Sequence, residues 1–309
     1  MKRVALFVLT NLAVLALLSV VVRALGLDSA LAAQGIAPDA LLGYAALLGF
    51  GGALVSLALS KWTAKALMGV RLVAAPQTPE EAWLRDTVAL HAERAGIAMP
   101  QVGIFEAAEM NAFATGARRN AALVAVSSGL LRGMTRHEAA AVLGHEITHV
   151  ANGDMVTLAL IQGVVNTFVI FLARIIGTLL DGALGTGRAD EHRRGTGPVY
   201  FVVVVLLQIV LGLFANLIVM AFSRHREFRA DAGGAGLAGT ASMIAALERL
   251  QLSQASVLPD QLAAFGISGR ATEGLARLFM SHPPLADRIA ALRASPGVDA
   301  GQSAHSVLR

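Results

Sequence analysis

The chain has 309 residues, 55% of them hydrophobic and only 15% charged, against about 25% charged in an ordinary globular domain. With a mean hydropathy of +0.63, this is more apolar surface than one soluble core can hold, and the composition points to a membrane protein with a soluble part. Cysteine is absent, which excludes disulfide scaffolds, thiolate metal sites and cysteine nucleophiles. The net charge is +4, yet the basic residues form no long run, so the balance speaks for a lipid bilayer as partner and against nucleic acid.

In chain order, residues 4–22, 40–60, 155–173 and 195–223 carry no charge and are each long enough to cross a bilayer as a helix. The first follows Met1-Lys2-Arg3 and lacks a persuasive small-residue cleavage site before Asp28, so it reads as a retained anchor rather than a cleaved signal peptide. Lys2 and Arg3 precede the first stretch, Lys61, Lys65 and Arg71 follow the second, and Arg224, Arg226 and Arg229 follow the fourth. The positive-inside rule places all three clusters in the cytoplasm. The loop between the third and fourth stretches is less clear, because Arg188, Arg193 and Arg194 balance Asp181, Asp190 and Glu191. That hairpin therefore reads either as two ordinary spans or as a shallow, partly covered one.

The expected organisation is an apolar hairpin over 1–60, a first polar part over 61–154, a second apolar hairpin over 155–223 and a second polar part over 224–309. The two polar parts are expected to fold together. Thr78-Pro79-Glu80-Glu81 has the form of a helix start, with proline at the opening position and acids in the first turn, and that helix should stop at Gly96. Residues 101–105 and 121–127 read as short strands on either side of a polar stretch. Thr135-Arg136-His137-Glu138 has the capping-box pattern, which predicts a second helix running through His149. The fold class is mainly α with a small β-sheet: about four membrane helices and a zincin-type catalytic part.

On that second helix lies His145-Glu146-Ile147-Thr148-His149. A period of 3.6 residues puts His145 and His149 on one face, where both can hold one zinc ion, and sets Glu146 beside them within reach of a metal-bound water. A catalytic zinc needs a third protein ligand and one open position. Two candidates follow the fourth apolar stretch, Glu227 and His225. Glu227 shares a helix face with Asp231, whose carboxylate can orient a ligand imidazole; His225 lies on a different face. The blander reading makes Glu227 and Asp231 surface partners of Arg224 and Arg226. His91, His137, His192 and His305 show no partner pattern and are expected at a surface or interface.

The stretches 145–171 and 223–236, together with Asn111-Ala112-Phe113-Ala114-Thr115-Gly116 and Ser281-His282-Pro283-Pro284, resemble the bacterial membrane-bound heat-shock proteases of the M48, or Ste24-like, metallopeptidase family. The resemblance covers nearly the whole chain in order and spacing. It implies that Glu227 is the third ligand of one zinc ion per chain and Asp231 its supporting carboxylate. It further implies a multi-pass protein of the inner membrane, with the active site on the cytoplasmic side. Its substrates would be damaged or misfolded membrane proteins, degraded in cooperation with other membrane proteases. The segment Asn111, Ala112, Phe113 and Ala114 would offer a strand edge to an extended substrate, a mode that reads backbone more than side chain; an ordinary turn is the alternative. His282 and Arg288 would stabilise the oxyanion, as a pair of cationic donors can; a helix cap or surface position is the alternative for the histidine. A prenyl-protein processing peptidase would need a larger chamber than four spans build. A metal transporter or scaffold would favour ionisable residues inside the spans, which the four stretches lack.

Overall fold

The structure, a computed structural model, describes residues 37–183, 198–263 and 283–295 together with residues 16, 19, 20, 22–24 and 26–32. The first apolar stretch, residues 4–22, thus falls largely outside the described residues, as does His282. The described chain is mainly helical with one small mixed sheet. It divides into two compact units, residues 1–56 with 158–219 and residues 57–157 with 220–309.

The first unit is built from α1 (Leu27–Ala32) and the apolar portions of α2 (Pro38–Met68), α6 (Asp154–Ala183) and α7 (Pro198–Ala238). Among the described residues three helices are long and apolar enough to cross a membrane, Pro38–Met68, Asp154–Asp181 and Tyr200–Ala238. They pack through small residues, as helices in lipid do when backbone contact replaces the hydrophobic effect. A Cβ added at Gly49 would fall 2.5 Å from Thr167 Oγ1, and one at Gly163 would fall 2.6 Å from the Phe50 ring. Helix α6 runs ten residues past the expected span end at Ala173 and carries Arg174, whose guanidinium lies 4.6 Å from the centre of the Tyr44 ring and donates to its hydroxyl. A sequence window that stops at the last uncharged residue cannot see that a helix continues through a charge which has found an aromatic partner.

The second unit places the polar segments around a four-stranded sheet in the order β1 (Arg71–Leu72), β2 (Gln101–Phe105), β4 (Leu123–Ser127), β3 (Ala112–Thr115). Strands β2 and β4 are parallel, while β1 and β3 pair antiparallel to them, so β3 is an outer strand. The strand expected from residue 121 begins instead at Leu123, because Arg119–Ala121 close a 3-10 turn. Helix α3 (Pro79–Arg94) starts as expected, the Thr78 side chain accepting from the Glu81 N–H, and ends before Gly96 at φ +65°. Helix α5 (Arg136–Asn152) has its capping box complete: Thr135 Oγ1 accepts from the Glu138 N–H and Glu138 Oε2 accepts from the Thr135 N–H. Between β4 and α5 lies the short α4 (Ser128–Gly133).

The core that fixes α5 joins Leu143, Ile147 and Val150 to Leu84 and Val88 of α3, Val124 of β4, Leu247 of α8 (Thr240–Ala263) and Leu292 of α9 (Leu285–Ala294). Each such side chain contributes about 1.5–3 kcal/mol by leaving water. His91, expected at a surface, is buried in this core, with Nε2 3.0 Å from the Ala140 carbonyl oxygen. Burial pushes its pKa down, only partly opposed by that carbonyl, so it serves as a neutral tie between α3 and α5.

Candidate metal centre

Helix α5 carries its two histidines one turn apart with both Nε2 atoms turned to the same point, 3.1 Å from each other. The rings meet edge to face, centroids 4.7 Å apart. Glu227 on α7 completes the cluster, with Oε2 3.5 Å from His145 Nε2 and Oε1 3.3 Å from His149 Nε2. A tetrahedral zinc with bonds near 2.0–2.1 Å would separate its donors by about 3.3 Å. The observed separations lie close to that value, each imidazole facing a different oxygen of Glu227, and among the described residues this is the group of three side chains that could hold a metal ion. His225, the rival third ligand, is exposed, whereas Glu227 is buried.

Close approach of α5 and α7 makes this possible. Gly144 and Gly234 face each other: a Cβ at Gly144 would lie 3.3 Å from Gly234 Cα, and one at Gly234 would lie 2.9 Å from the His145 backbone nitrogen. Any larger residue at either position would push Glu227 away from the imidazoles.

Each imidazole has a carboxylate behind it. His145 Nδ1 lies 2.9 Å from Asp231 Oδ1, and His149 Nδ1 lies 2.7 Å from Asp154 Oδ2. Such pairs hold Nε2 free as a ligand and fix the ring plane. Asp231 stands one helical turn after Glu227 on α7. Asp154 was not singled out by the sequence, although the signal was present: Gly153, at φ +69°, ends α5 with a left-handed turn and returns the next residue to the last helical turn. The Arg226 guanidinium donates to the Asp154 carbonyl oxygen at 2.6 Å, anchoring that turn.

Arg288 on α9 is buried and grips Asp231 with two N–H groups, Nε to Oδ2 at 2.7 Å and Nη2 to Oδ1 at 2.5 Å. Its third nitrogen, Nη1, lies 3.6 Å from Glu227 Oε2. Burial would raise the Asp231 pKa, but Arg288 and His145 outweigh it and hold the carboxyl below the usual range. Burial would likewise lower both imidazoles, yet the carboxylates prevail. His145 is raised by Asp231 and Glu227, and His149 is raised to about 10 by Asp154 and Glu227. A pocket that pulls protons onto two buried imidazoles is one that favours positive charge, which suits a divalent cation.

Glu146 and His145 open onto a cleft of about 560 Å³, bordered by Asn111 and Ala112 at the start of β3, by Leu130, Val142, Met243 and Leu247, and by Arg288. Of the four residues expected to meet substrate, Asn111 and Ala112 reach this cleft. Ala114 packs on the core and the Phe113 ring meets that of Phe105 at 5.5 Å.

Known proteins match this arrangement. The profile of Peptidase family M48 covers residues 78–295, the whole stretch that supplies the cluster. The chain belongs to peptidase family M48. Among curated M48 relatives, the Protease HtpX homolog of Thiobacillus denitrificans is 58% identical over 294 residues, covering 95% of this chain and 99% of its own. Protease HtpX of Nitrosococcus oceani is 59% identical over 296 residues, with the same coverage of each chain. Among solved structures, that of S. mikatae Ste24p superposes with a TM-score of 0.61 at 18% identity, covering 81% of this chain and 58% of that one. That likeness is one of fold, and the chain spans little more than half the length of Ste24p. Membership of M48, with the apolar helices, makes this a membrane metalloprotease.

Proposed function

We propose that the protein is a zinc endopeptidase of the inner membrane that hydrolyses peptide bonds of damaged or misfolded membrane proteins as part of quality control. The observation that carries the reading is the convergence of His145, His149 and Glu227 at separations matching one tetrahedral ion, beside an open cleft. These three residues would hold the zinc ion. When bound, the ion supplies Lewis acidity and lowers the pKa of a water in its open position to near 7.

The rest of the chemistry belongs to the chain. Glu146 accepts the proton of the attacking water and returns it to the leaving amine, one carboxylate serving as base and then acid. Asp154 and Asp231 keep His149 and His145 oriented with Nδ1 engaged. Arg288 has Asp231 as its first duty, since two of its N–H groups are committed there, and offers Nη1 toward the developing oxyanion with His282. An extended substrate backbone adds to the outer strand β3 at Asn111 and Ala112, so the enzyme selects unfolded segments more than particular side chains. The lysines and arginines that flank the apolar stretches support a cytoplasmic position for this apparatus.

The deciding experiment is Glu146→Gln in detergent-solubilised protein, assayed on unfolded casein with metal content measured in parallel. The variant should keep its zinc while losing proteolysis by about 10²–10⁴-fold. Retained cleavage would remove Glu146 from the mechanism, and cleavage insensitive to chelation would remove the metal.

A further inference from the structure

Ser127 ends β4 and caps α4, and the two duties compete for its carbonyl oxygen. A residue at a helix N-cap turns its carbonyl along the helix, where it accepts the first helical N–H. Continued by one residue, the register Ala112↔Val126 sets Asn111 opposite Ser127, and such a pair in an antiparallel ladder exchanges two backbone bonds. Only one of the two takes that form: the Ser127 N–H donates to the Asn111 carbonyl oxygen at 2.8 Å. The other is closed by the side chain, since the Asn111 N–H donates to Ser127 Oγ at 3.0 Å. The same oxygen accepts from the Leu130 N–H at 2.9 Å, and its proton goes to the Glu109 carbonyl oxygen at 2.7 Å. A serine hydroxyl has one donor and two acceptor sites, so all three are in use, in a residue that is fully buried. Asn111 and Leu130, whose N–H groups it holds, both border the cleft with Glu146, and so does Met110 between Glu109 and Asn111. The approach to α4 on this side is close: a Cβ at Gly129 would strike the Ala108 carbonyl oxygen, and one at Gly133 would fall 2.8 Å from Met110 Sδ.

We propose that Ser127 is a positioning residue for the substrate: its hydroxyl fixes the start of β3 against α4, and with it the place where the open edge of that strand meets an extended chain. Because Asn111 bonds inward to Ser127, alternation along the strand turns the N–H and carbonyl of Ala112 outward, to the edge that no other strand covers. Those are the backbone groups that a substrate strand would meet at the cleft. None of the hydroxyl's bonds goes to His145, His149 or Glu227, and the imidazoles keep their own supports in Asp231 and Asp154. Loss of the hydroxyl leaves the N–H groups of Asn111 and Leu130 without an acceptor and frees the start of the strand, while the metal cluster stays intact. The inference rests on substrate adding to β3.

The test is steady-state cleavage of unfolded casein by the detergent-solubilised full chain, with zinc content measured in parallel. Ser127→Ala should raise KM about tenfold, the worth of roughly one backbone hydrogen bond to the bound strand, with kcat and zinc content close to those of the parent. If that variant is not recovered folded, Ser127→Gly, which a helix N-cap tolerates, carries the same expectation. Ser127→Thr keeps a hydroxyl on an extended backbone and should recover most of the loss. Thr78→Ala removes an N-cap hydroxyl of the same kind from α3, at a residue that does not border the cleft, and should leave KM within about twofold of the parent. Ala112→Pro deletes the outward N–H itself and should raise KM about as much as Ser127→Ala. If Ala112→Pro raises KM and Ser127→Ala does not, the proposal falls and edge pairing stands. If neither variant moves KM, edge pairing falls and takes the proposal with it. A rise with Ser127→Ala alone, a loss of kcat or zinc in place of the rise, no rescue by threonine, or an equal effect of Thr78→Ala would each overturn the proposal.

Discussion

The unit that holds the metal centre and the unit built from the apolar spans treat polarity in opposite ways. In the first, buried charge is matched by buried charge: Asp231 meets Arg288 and His145, Asp154 meets His149, and Glu227 lies between two imidazoles. In the second, side chains such as Leu47, 71% exposed, face outward, and the interior is closed by Gly49, Gly163 and Thr167. Exposure of a leucine would be a liability in water and is neutral in lipid. The difference teaches that one scale of burial cannot be read across both units: in one a buried charge requires a partner, and in the other an exposed leucine requires none.

The contrast can be broken at several strengths. Glu227→Ala should abolish both metal retention and proteolysis; a metal-to-protein ratio equal to that of the parent would relocate the third ligand. In the core beneath the site, Leu143→Ala should cost about 2–5 kcal/mol, measured by denaturation of the detergent-solubilised protein, whereas Leu47→Ala on the lipid side should fall within 0.5 kcal/mol, roughly the surface norm. Asp154→Asn and Asp231→Asn should each weaken zinc affinity by about 10–100-fold, read by competition with a chelating dye. The exposed pair Arg23–Asp39 offers the counterpart, and Asp39→Asn should leave affinity unchanged. Smallest, Thr135→Ala removes half of the capping box and should cost about 1 kcal/mol with no change in metal stoichiometry.

The catalytic helix was legible from residues alone. Its cap at Thr135, its two imidazoles a turn apart and the carboxylate beside them are all local signals, written within fifteen residues of sequence. Asp231 was legible for the same reason, since its partner Glu227 lies on the same helix. What escaped depends on turns and on distance. Asp154 reaches His149 only because Gly153 reverses the backbone, and the grip of Arg288 on Asp231 spans 57 residues of chain. The extension of α6 past Ala173 escaped because Arg174 ends the uncharged stretch there, while which side of each span is packed escaped for another reason. When the packed side and the lipid side of a helix are both apolar, hydrophobic periodicity carries no contrast, and only coordinates tell the faces apart.

The guanidinium of Arg288 also sets an order of events during synthesis. Asp231 is added 57 residues before Arg288, so for that interval its carboxylate is without the guanidinium that grips it in the folded chain. The full set of contacts behind the cluster therefore exists only once α9 has been made.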